Sequence, residues 1–494
     1  MAIEHVFVLM LENRSFDHMF ACAGLPGVPL PPAQFGFSCA ATDSLAHDPP
    51  HEYADVKAQI ANGSMTGFQA SGGATAMAGL PPSLTPVVTT LAANFLLMDN
   101  WFSSMPGPTW PNRCFVHAAS SGGLDNSPSG PDAFDAVGRA NASLAFENGH
   151  IFDALTAAGR SWRIYRGDWF PQVLALPGMV DVFRYQPLRR LIVDQKDFAK
   201  DVAARDAADY TFIEPNYDVL GNFAHGNSQH PLGAISAGER LISYFYAALR
   251  NSPLWEKSLL VITWDEHGGF FDHVPPPAAT PPGDKPINYK RAKHPQDCAF
   301  DRLGVRVPTL LVSPLLPKGL GSVVFPGQSF DHASVVASVR RHFGIATPLT
   351  RRDATAPIWN NAVLAKPRTD VPGLAPKTAL TAPAKATSAF NAKAVKGPPA
   401  ENLGGFLQIA RALDFHDAKL SASPPLFAAA AHKKPLAQAG ALMAAPAKVE
   451  KDTLAAHKSM LKYLAAVAAR EEAHQQAAPR KPARKSTVAK KKPK

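Results

Sequence analysis

Cysteine is scarce in this chain, and its spacing excludes whole classes of protein. The four cysteines, Cys22, Cys39, Cys114 and Cys298, include no CxxC pair, so neither a zinc ribbon nor a dithiol redox motif is encoded. Free buried thiols are the expectation, since Cys22 and Cys39 would pair only in an oxidising compartment. Long apolar runs are missing too. None approaches the roughly 20 residues that a transmembrane helix needs. The first apolar run starts almost at Met1, contains Glu4 and has no basic segment before it, which is unlike an export signal. A cytoplasmic location is therefore expected, with export left open in case the start is clipped. Acidic residues are absent from the last fifteen positions, which hold eight basic ones.

That last absence exposes an uneven charge. The chain carries +10 overall, but residues 366–494 hold 23 Lys and Arg against 8 Asp and Glu, which leaves 27 against 32 in residues 1–365. The body is mildly acidic and the tail strongly basic. From about 366 the composition turns to Ala, Lys and Pro, which buries little and stays flexible. Two islands, Leu403–Leu413 and Asp452–His474, have helical spacing. The expected division is a folded domain over 1–365 and a largely disordered basic extension over 366–494.

Within the body, short apolar runs alternate with helical patterns. Ile3–Leu11, Trp162–Tyr165, Tyr210–Ile213, Leu259–Trp264 and Val307–Ser313 read as strands. Ser334–Phe343 and Gly238–Leu249 have helical periodicity, and Asp153–Ala158 ends on a capping glycine, Gly159. This alternation predicts an α/β fold, a mostly parallel sheet with helices on both faces.

Ligands of such sheets bind beyond the carboxyl ends of the strands. Two strands here end in oxygen donors, the first in Glu12-Asn13 and the distant Leu259–Trp264 strand in Asp265-Glu266. Hard oxygen ligands suit Ca²⁺, Mg²⁺ or Mn²⁺ better than a soft metal, although either pair alone also looks like a helix N-cap. In Met105-Pro106-Gly107-Pro108-Thr109-Trp110-Pro111, proline and glycine fix the backbone around one hydroxyl. A hydroxyl held ahead of a helix can bind a metal, lose its proton and attack phosphorus. Five histidines, His51, His230, His267, His273 and His332, stand in polar loops rich in glycine or proline. The residues themselves point to a metal-assisted hydrolase or transferase.

The strings Glu-Asn-Arg-Ser-Phe-Asp-His at 12–18, Gly-Pro-Thr-x-Pro-Asn-Arg at 107–113, Phe-Ile-Glu-Pro-Asn-Tyr at 212–217 and Trp-Asp-Glu-His-Gly-Gly-Phe-Phe-Asp-His-Val-x-Pro-Pro at 264–277 occur in that order. Together they resemble the bacterial phosphoesterase family of phospholipases C and acid phosphatases, within the alkaline phosphatase-like superfamily. The resemblance runs from residue 3 to about 345. It implies an alkaline phosphatase-like fold and a divalent metal (Ca, Mg, Mn or Zn) held by Glu12, Asn13, Thr109, Asp265 and Glu266. It also implies Thr109 as nucleophile, and His51 and His230 as phosphate-contacting or leaving-group histidines. Arg166-Gly167-Asp168, the neighbourhood where acid-phosphatase members would carry a further histidine, has none.

The resulting expectation is a metal-dependent phosphoric ester hydrolase that cleaves phospholipid phosphodiesters through Thr109. Two alternatives stand beside it, an acid phosphatase-type phosphomonoesterase and a non-catalytic polyanion-binding protein. No motif for the modified Cys or Ser of a sulfatase is present. The basic tail would contact an anionic membrane or nucleic acid.

Overall fold

A computed structural model of the chain describes residues 3–127, 146–168, 172–175, 192–218, 223–287 and 298–373. The two islands and the basic run of the tail lie outside the described residues. The frame is an eight-stranded sheet formed by β1 (His5–Leu11), β2 (Leu96–Leu97), β3 (Trp162–Arg166), β4 (Ile192–Asp194), β5 (Tyr210–Ile213), β6 (Ser258–Trp264), β7 (Thr309–Val312) and β8 (Gly319–Leu320). Its order is β4-β3-β5-β1-β6-β7-β2-β8. β7 runs antiparallel to both β6 and β2, and every other pairing is parallel.

The central strands form where the sequence is apolar on both faces. β6, Ser-Leu-Leu-Val-Ile-Thr-Trp, is buried throughout, and β1 is buried from Val6 onward. Such two-sided strands must be covered by helices. One helical layer is built from Pro86–Asn94, Phe198–Ala203 and Ile235–Arg250, and a second from Thr109–Ala118, Ile151–Ala157 and Ala333–His342, each packed within its own group. Ile235–Arg250 turns Leu241, Ile242, Phe245, Tyr246 and Leu249 into the core, as its periodicity predicts. Gly159, at φ +68°, ends the helix before β3.

A satellite core of Val56, Ile60, Met65, Phe68, Met77, Phe271 and Val305 underlies the helices Tyr53–Ile60 and Phe68–Ala76. Packing does not stop at residue 365, because Arg368 donates to the carbonyls of Leu316 and Asn94, and Tyr246 donates to the Pro372 carbonyl.

The thiol expectation fails at one pair. Cys22 and Cys39 form a disulfide, with Cα atoms 5.7 Å apart. Tertiary pairing brings them together. Gly79 N–H donates to the Ser38 carbonyl at 2.7 Å while Leu80 N–H donates to the His18 carbonyl at 2.7 Å, so one segment bridges the flanks of both cysteines. Cys114 is free and buried, and Cys298 is free and half-buried.

Candidate active site

β1 and β6 pair in register through Leu11 and Trp264, so the residues after each strand leave the sheet together. Asp265 N–H donates to the Leu11 carbonyl at 3.2 Å, and Arg14 N–H to the Glu266 carbonyl at 2.9 Å. Between them, Asn13 adopts φ +59°, a left-handed conformation that asparagine tolerates better than most residues. Its backbone N–H donates to Asp265 Oδ1 at 3.0 Å. Its carboxamide donates to Glu266 Oε1 and to Thr109 Oγ1, the latter at 3.3 Å, and stands 3.4 Å from His51 Nε2. Gly268 closes this turn at φ +64°, where a Cβ would fall 2.4 Å from the Asn13 carbonyl. Its N–H donates to Glu266 Oε2 at 2.7 Å. One strand-end junction thus gathers Asn13, Asp265, Glu266, Thr109 and His51.

Thr109 opens the helix Thr109–Ala118, whose first-turn N–H groups have no intrahelical acceptor. The Pro-Gly turn before it is locked by Asn112. That side chain accepts from Met105 N–H at 3.1 Å and donates to the Gly107 and Pro108 carbonyls at 2.9 and 3.1 Å. One helical turn past Thr109, Arg113 reaches back under the site. It donates to Asp265 Oδ2 at 3.0 Å, to the Tyr217 hydroxyl at 2.8 Å and to the Leu11 carbonyl at 3.2 Å, and lies 3.8 Å from Glu12 Oε1. Glu12 Oε1 also accepts from Gln172 at 3.2 Å.

Negative charge is under-compensated here. Glu12, Asp265 and Glu266 are each at most 1% exposed. Burial pushes Asp265 up to about 7 despite Arg113, with Glu266 and Glu12 adding to the rise. Burial likewise lifts Glu214, beyond the end of β5, to about 7. For His51, burial opposes the charged ring, but Glu266 and then Asp48 outweigh it and hold the imidazolium up to about 10. Glu12 Oε2 and Asn13 Oδ1 are buried without a hydrogen-bond partner, a costly state unless something else engages them. Hard oxygens, orphaned and rich in negative charge, are the donor set a divalent cation fits.

The histidines divide. His51 donates through Nδ1 to the Pro49 carbonyl at 2.7 Å, which leaves Nε2 facing Asn13 and Glu266. His230 is stacked on Phe223 with centroids 3.7 Å apart, and its Nε2 lies 3.4 Å from Asp48 Oδ2. It reaches the site through Asp48, whose carboxyl is pushed up by burial but brought below the usual range by His230 and His51. The other three do not reach Asn13 or Thr109. His267, kept neutral by burial, sets Nδ1 3.3 Å from Glu266 Oε2 and bonds Gln59 Oε1 at 2.8 Å through Nε2, so it braces a candidate ligand. His332, lowered to about 4 by burial, bonds the Asp265 carbonyl at 2.6 Å and so braces the end of β6.

His273 belongs to a second acidic cluster with Asp17 and Asp272, whose ligand atoms lie within 4.8 Å of one another. That cluster already holds a cation. Arg306 donates to Asp272 Oδ1 at 2.9 Å and to Asp17 Oδ1 at 3.0 Å. Arg113 likewise pairs with Asp265, but Glu12 Oε2 and Asn13 Oδ1 are left without a partner, so Glu12, Asn13, Asp265 and Glu266 remain the candidate metal centre.

Sequence reasoning assigned no role to Arg113, Asp48, Gln172 or Glu214. Arg113 had a legible signal, since a residue four after Thr109 shares its helix face. Gln172 had none.

A model of the phosphoesterase family matches residues 3–346 of the chain. Non-specific phospholipase C6 of Arabidopsis thaliana is 34% identical over 417 residues, covering 76% of this chain and 75% of that protein. Phospholipase C A of Mycobacterium tuberculosis is 28% identical over 409 residues, covering 70% and 74%. A crystal structure of a protein in the alkaline phosphatase superfamily from Vibrio parahaemolyticus aligns with a TM-score of 0.36 at 12% identity over 72% of this chain and 71% of that one, a likeness too distant to carry argument.

Proposed function

The chain belongs to the phosphoesterase family of ester-bond hydrolases, and from that premise we propose a phospholipase C-type phosphodiesterase that depends on a divalent cation and uses Thr109 as its nucleophile. The observation that carries this reading is the Asn13 side chain. It touches the candidate nucleophile Thr109, the candidate ligand Glu266 and His51 at once.

Glu12, Asn13, Asp265 and Glu266, with the Thr109 hydroxyl, would hold the cation. When bound, it supplies charge neutralisation of a phosphoryl oxygen and a lowered hydroxyl pKa. The chain's own residues do the rest. The locked turn over 105–109 presents Thr109 Oγ1, and the helix N-terminus behind it favours an anion. Thr109, its hydroxyl proton lost to bulk water, attacks phosphorus in line; the bond from phosphorus to the leaving oxygen breaks, a phosphothreonine forms, and the leaving oxygen departs with a proton. His230, whose Nδ1 accepts from Leu232 N–H and whose Nε2 faces Asp48, would turn Nε2 from Asp48 to give that proton. His51, turned by Pro49, presents Nε2 to the phosphoryl group. Water then cleaves the phosphothreonine and releases the phosphorylated headgroup.

The experiment is turnover of a chromogenic phosphodiester beside the matching phosphomonoester, after chelation and after reloading with Ca²⁺, Mg²⁺, Mn²⁺ or Zn²⁺. Diester turnover that chelation removes and reloading restores supports the proposal. Monoester turnover alone would favour the acid phosphatase reading.

Two further points belong to the same proposal. The Cys22–Cys39 bond fits an oxidising compartment rather than the cytoplasm. The basic tail residues Arg480, Lys481, Arg484, Lys485, Lys490, Lys491, Lys492 and Lys494 would add electrostatic attraction to an anionic surface, at about 1 kcal/mol each. Removing residues 476–494 should weaken sedimentation with anionic vesicles, or a gel shift with DNA, without changing hydrolysis of a small ester.

A further inference from the structure

Charge is distributed around this site in an unusual way. Residues 19–42 and 58–98 contain no Asp, Glu, Lys, Arg or His, in a chain that is 18% Asp, Glu, Lys and Arg. The two stretches are joined in space. Ser38 bridges Ala78, and Ala41 N–H donates to the Gly79 carbonyl at 3.1 Å. Both border the candidate active site. Phe271 N–H, on the loop that carries Asp265 and Glu266, donates to the Ala76 carbonyl at 2.9 Å, and Gln59 bonds His267 on the same loop.

Part of this charge-free region is surface. Pro26, Pro29, Leu30, Pro32 and Ala33 are exposed on the first stretch, and Ala70, Ala74 and Pro82 on the second. Leu30 is 59% exposed. The only other large apolar side chain with such exposure among the described residues is Val323, at 74%. It belongs to the same region. Gly27 lies against Leu320, with room for no Cβ (2.7 Å to Leu320 Cδ1), and Val323 follows Leu320 by three residues.

Topology sets this region on the site's side of the sheet. β7 is antiparallel to β6 and β2, and β8 is parallel to β2, so β8 points the same way as β1 and β6. The helix Gly321–Val324 therefore emerges at the edge where Glu12 and Asp265 emerge. The Leu30 segment is also held in shape, because the Cys22–Cys39 disulfide closes it. Scattered apolar residues on a surface need no explanation, but a joined and braced patch drawn from two charge-free stretches beside a site does.

We propose that this face, with Leu30 and Val323 as its anchors, docks the enzyme on a net-neutral phospholipid surface and so presents the bilayer to the site. The proposal rests on the phospholipid reading given above. The absence of charge decides the occupant. A zwitterionic lipid surface offers no net charge to recognise, and uncharged side chains enter its interface without having to shed the hydration shell of an ion. An anionic partner would instead select Lys and Arg, which both stretches lack, and would be repelled by Asp99, which Ser322 bonds beside Val323. Apolar anchors insert, and the rigid proline-rich segment loses little entropy in doing so.

The test uses the full chain and vesicles of phosphatidylcholine alone. Wild type should sediment with them, and raising the salt should not release it, which separates this face from the basic tail. Leu30→Asp with Val323→Asp should lower the affinity by at least about tenfold, what the burial of one leucine is worth. Hydrolysis of a soluble, monomeric short-chain phosphodiester should be unchanged. Failure of wild type to bind neutral vesicles, or unchanged binding by the double variant, overturns the proposal. Conversion of a wild-type dimer to monomer by the same substitutions overturns it too, since a second copy would then be the occupant. Vesicle binding needs no turnover, so absent hydrolysis of the soluble ester refutes the substrate reading and leaves the docking result to stand on its own.

Discussion

Binding of a divalent cation at Glu12, Asn13, Asp265 and Glu266 should expel protons, and the number can be worked from the site. Without a cation, Asp265 is lifted to about 7 by burial, with Glu266 and Glu12 adding to the rise, while Glu266 and Asp48 hold His51 protonated up to about 10. A coordinated carboxylate must be ionised, and a cation beside Glu266 removes the attraction that keeps the proton on His51. At pH 6, Asp265 is about nine-tenths protonated, so binding there should release close to two protons, one from each group. Above about pH 8 only the His51 proton remains to be lost. The Asp265 part alone should raise apparent affinity about 50-fold between pH 5 and 7, equivalent to about 2.3 kcal/mol.

The stability of the cation-free protein follows the same shift. The folded value of Asp265 lies above that of an unfolded aspartate. Its stabilising contribution is therefore complete below about pH 4 and is lost as pH rises through about 7. The cation should then raise the melting temperature more at pH 8 than at pH 5. Calorimetric titration in buffers of differing ionisation enthalpy counts the protons directly. A release near zero at pH 6, with binding intact, would refute the placement of the cation among these groups.

Thr109→Ala should abolish phosphodiester turnover yet cost no more than about 1.5 kcal/mol in a urea melt, because one neutral hydrogen bond to Asn13 is lost. Thr109→Ser should keep measurable turnover, and near wild-type rates in Thr109→Ala would remove the nucleophile assignment. Arg113→Lys keeps a charge but not the planar fork that serves Asp265, Tyr217 and Leu11. Its denaturation midpoint should fall by the equivalent of about 1–3 kcal/mol, and an unchanged midpoint would mean the fork matters little. Cys22→Ser with Cys39→Ser should cost about 3 kcal/mol under oxidising conditions, from loss of a cross-link spanning 17 residues. No difference from wild type in non-reducing melts would show that the bond does not form.

The sequence alone carried the five longer strands, because long buried strands cannot hide, but it did not mark the two- and three-residue strands β2, β4 and β8. Ile3–Leu11 and Leu259–Trp264 are continuous apolar runs that end in polar clusters, and both became central strands with those clusters at their carboxyl ends. Local periodicity was enough for Ile235–Arg250 and for the Gly159 cap. The Pro-Gly turn before Thr109 and the oxygen donors at 12–13 and 265–266 were also legible, since each is a local pattern of residue types.

Direction and partnership were not local. The run Val307–Ser313 reads as a strand, but nothing in it says that it lies antiparallel between β6 and β2. That is settled by how its neighbours exit the sheet. His51, His230, His267, His273 and His332 look alike in sequence, each in a polar loop. Only packing turns one ring toward Asn13, seats another beside Asp48 and makes braces of the rest. The Cys22–Cys39 bond depended on residues 78–80 pairing with both cysteine flanks, and the Arg113 fork on β1, β6 and Tyr217 meeting under one helix. Short-range pattern encodes which residues a chain offers. Contacts between residues hundreds of positions apart decide which charges are left to face one another, because burial and counter-charge are properties of the assembled core.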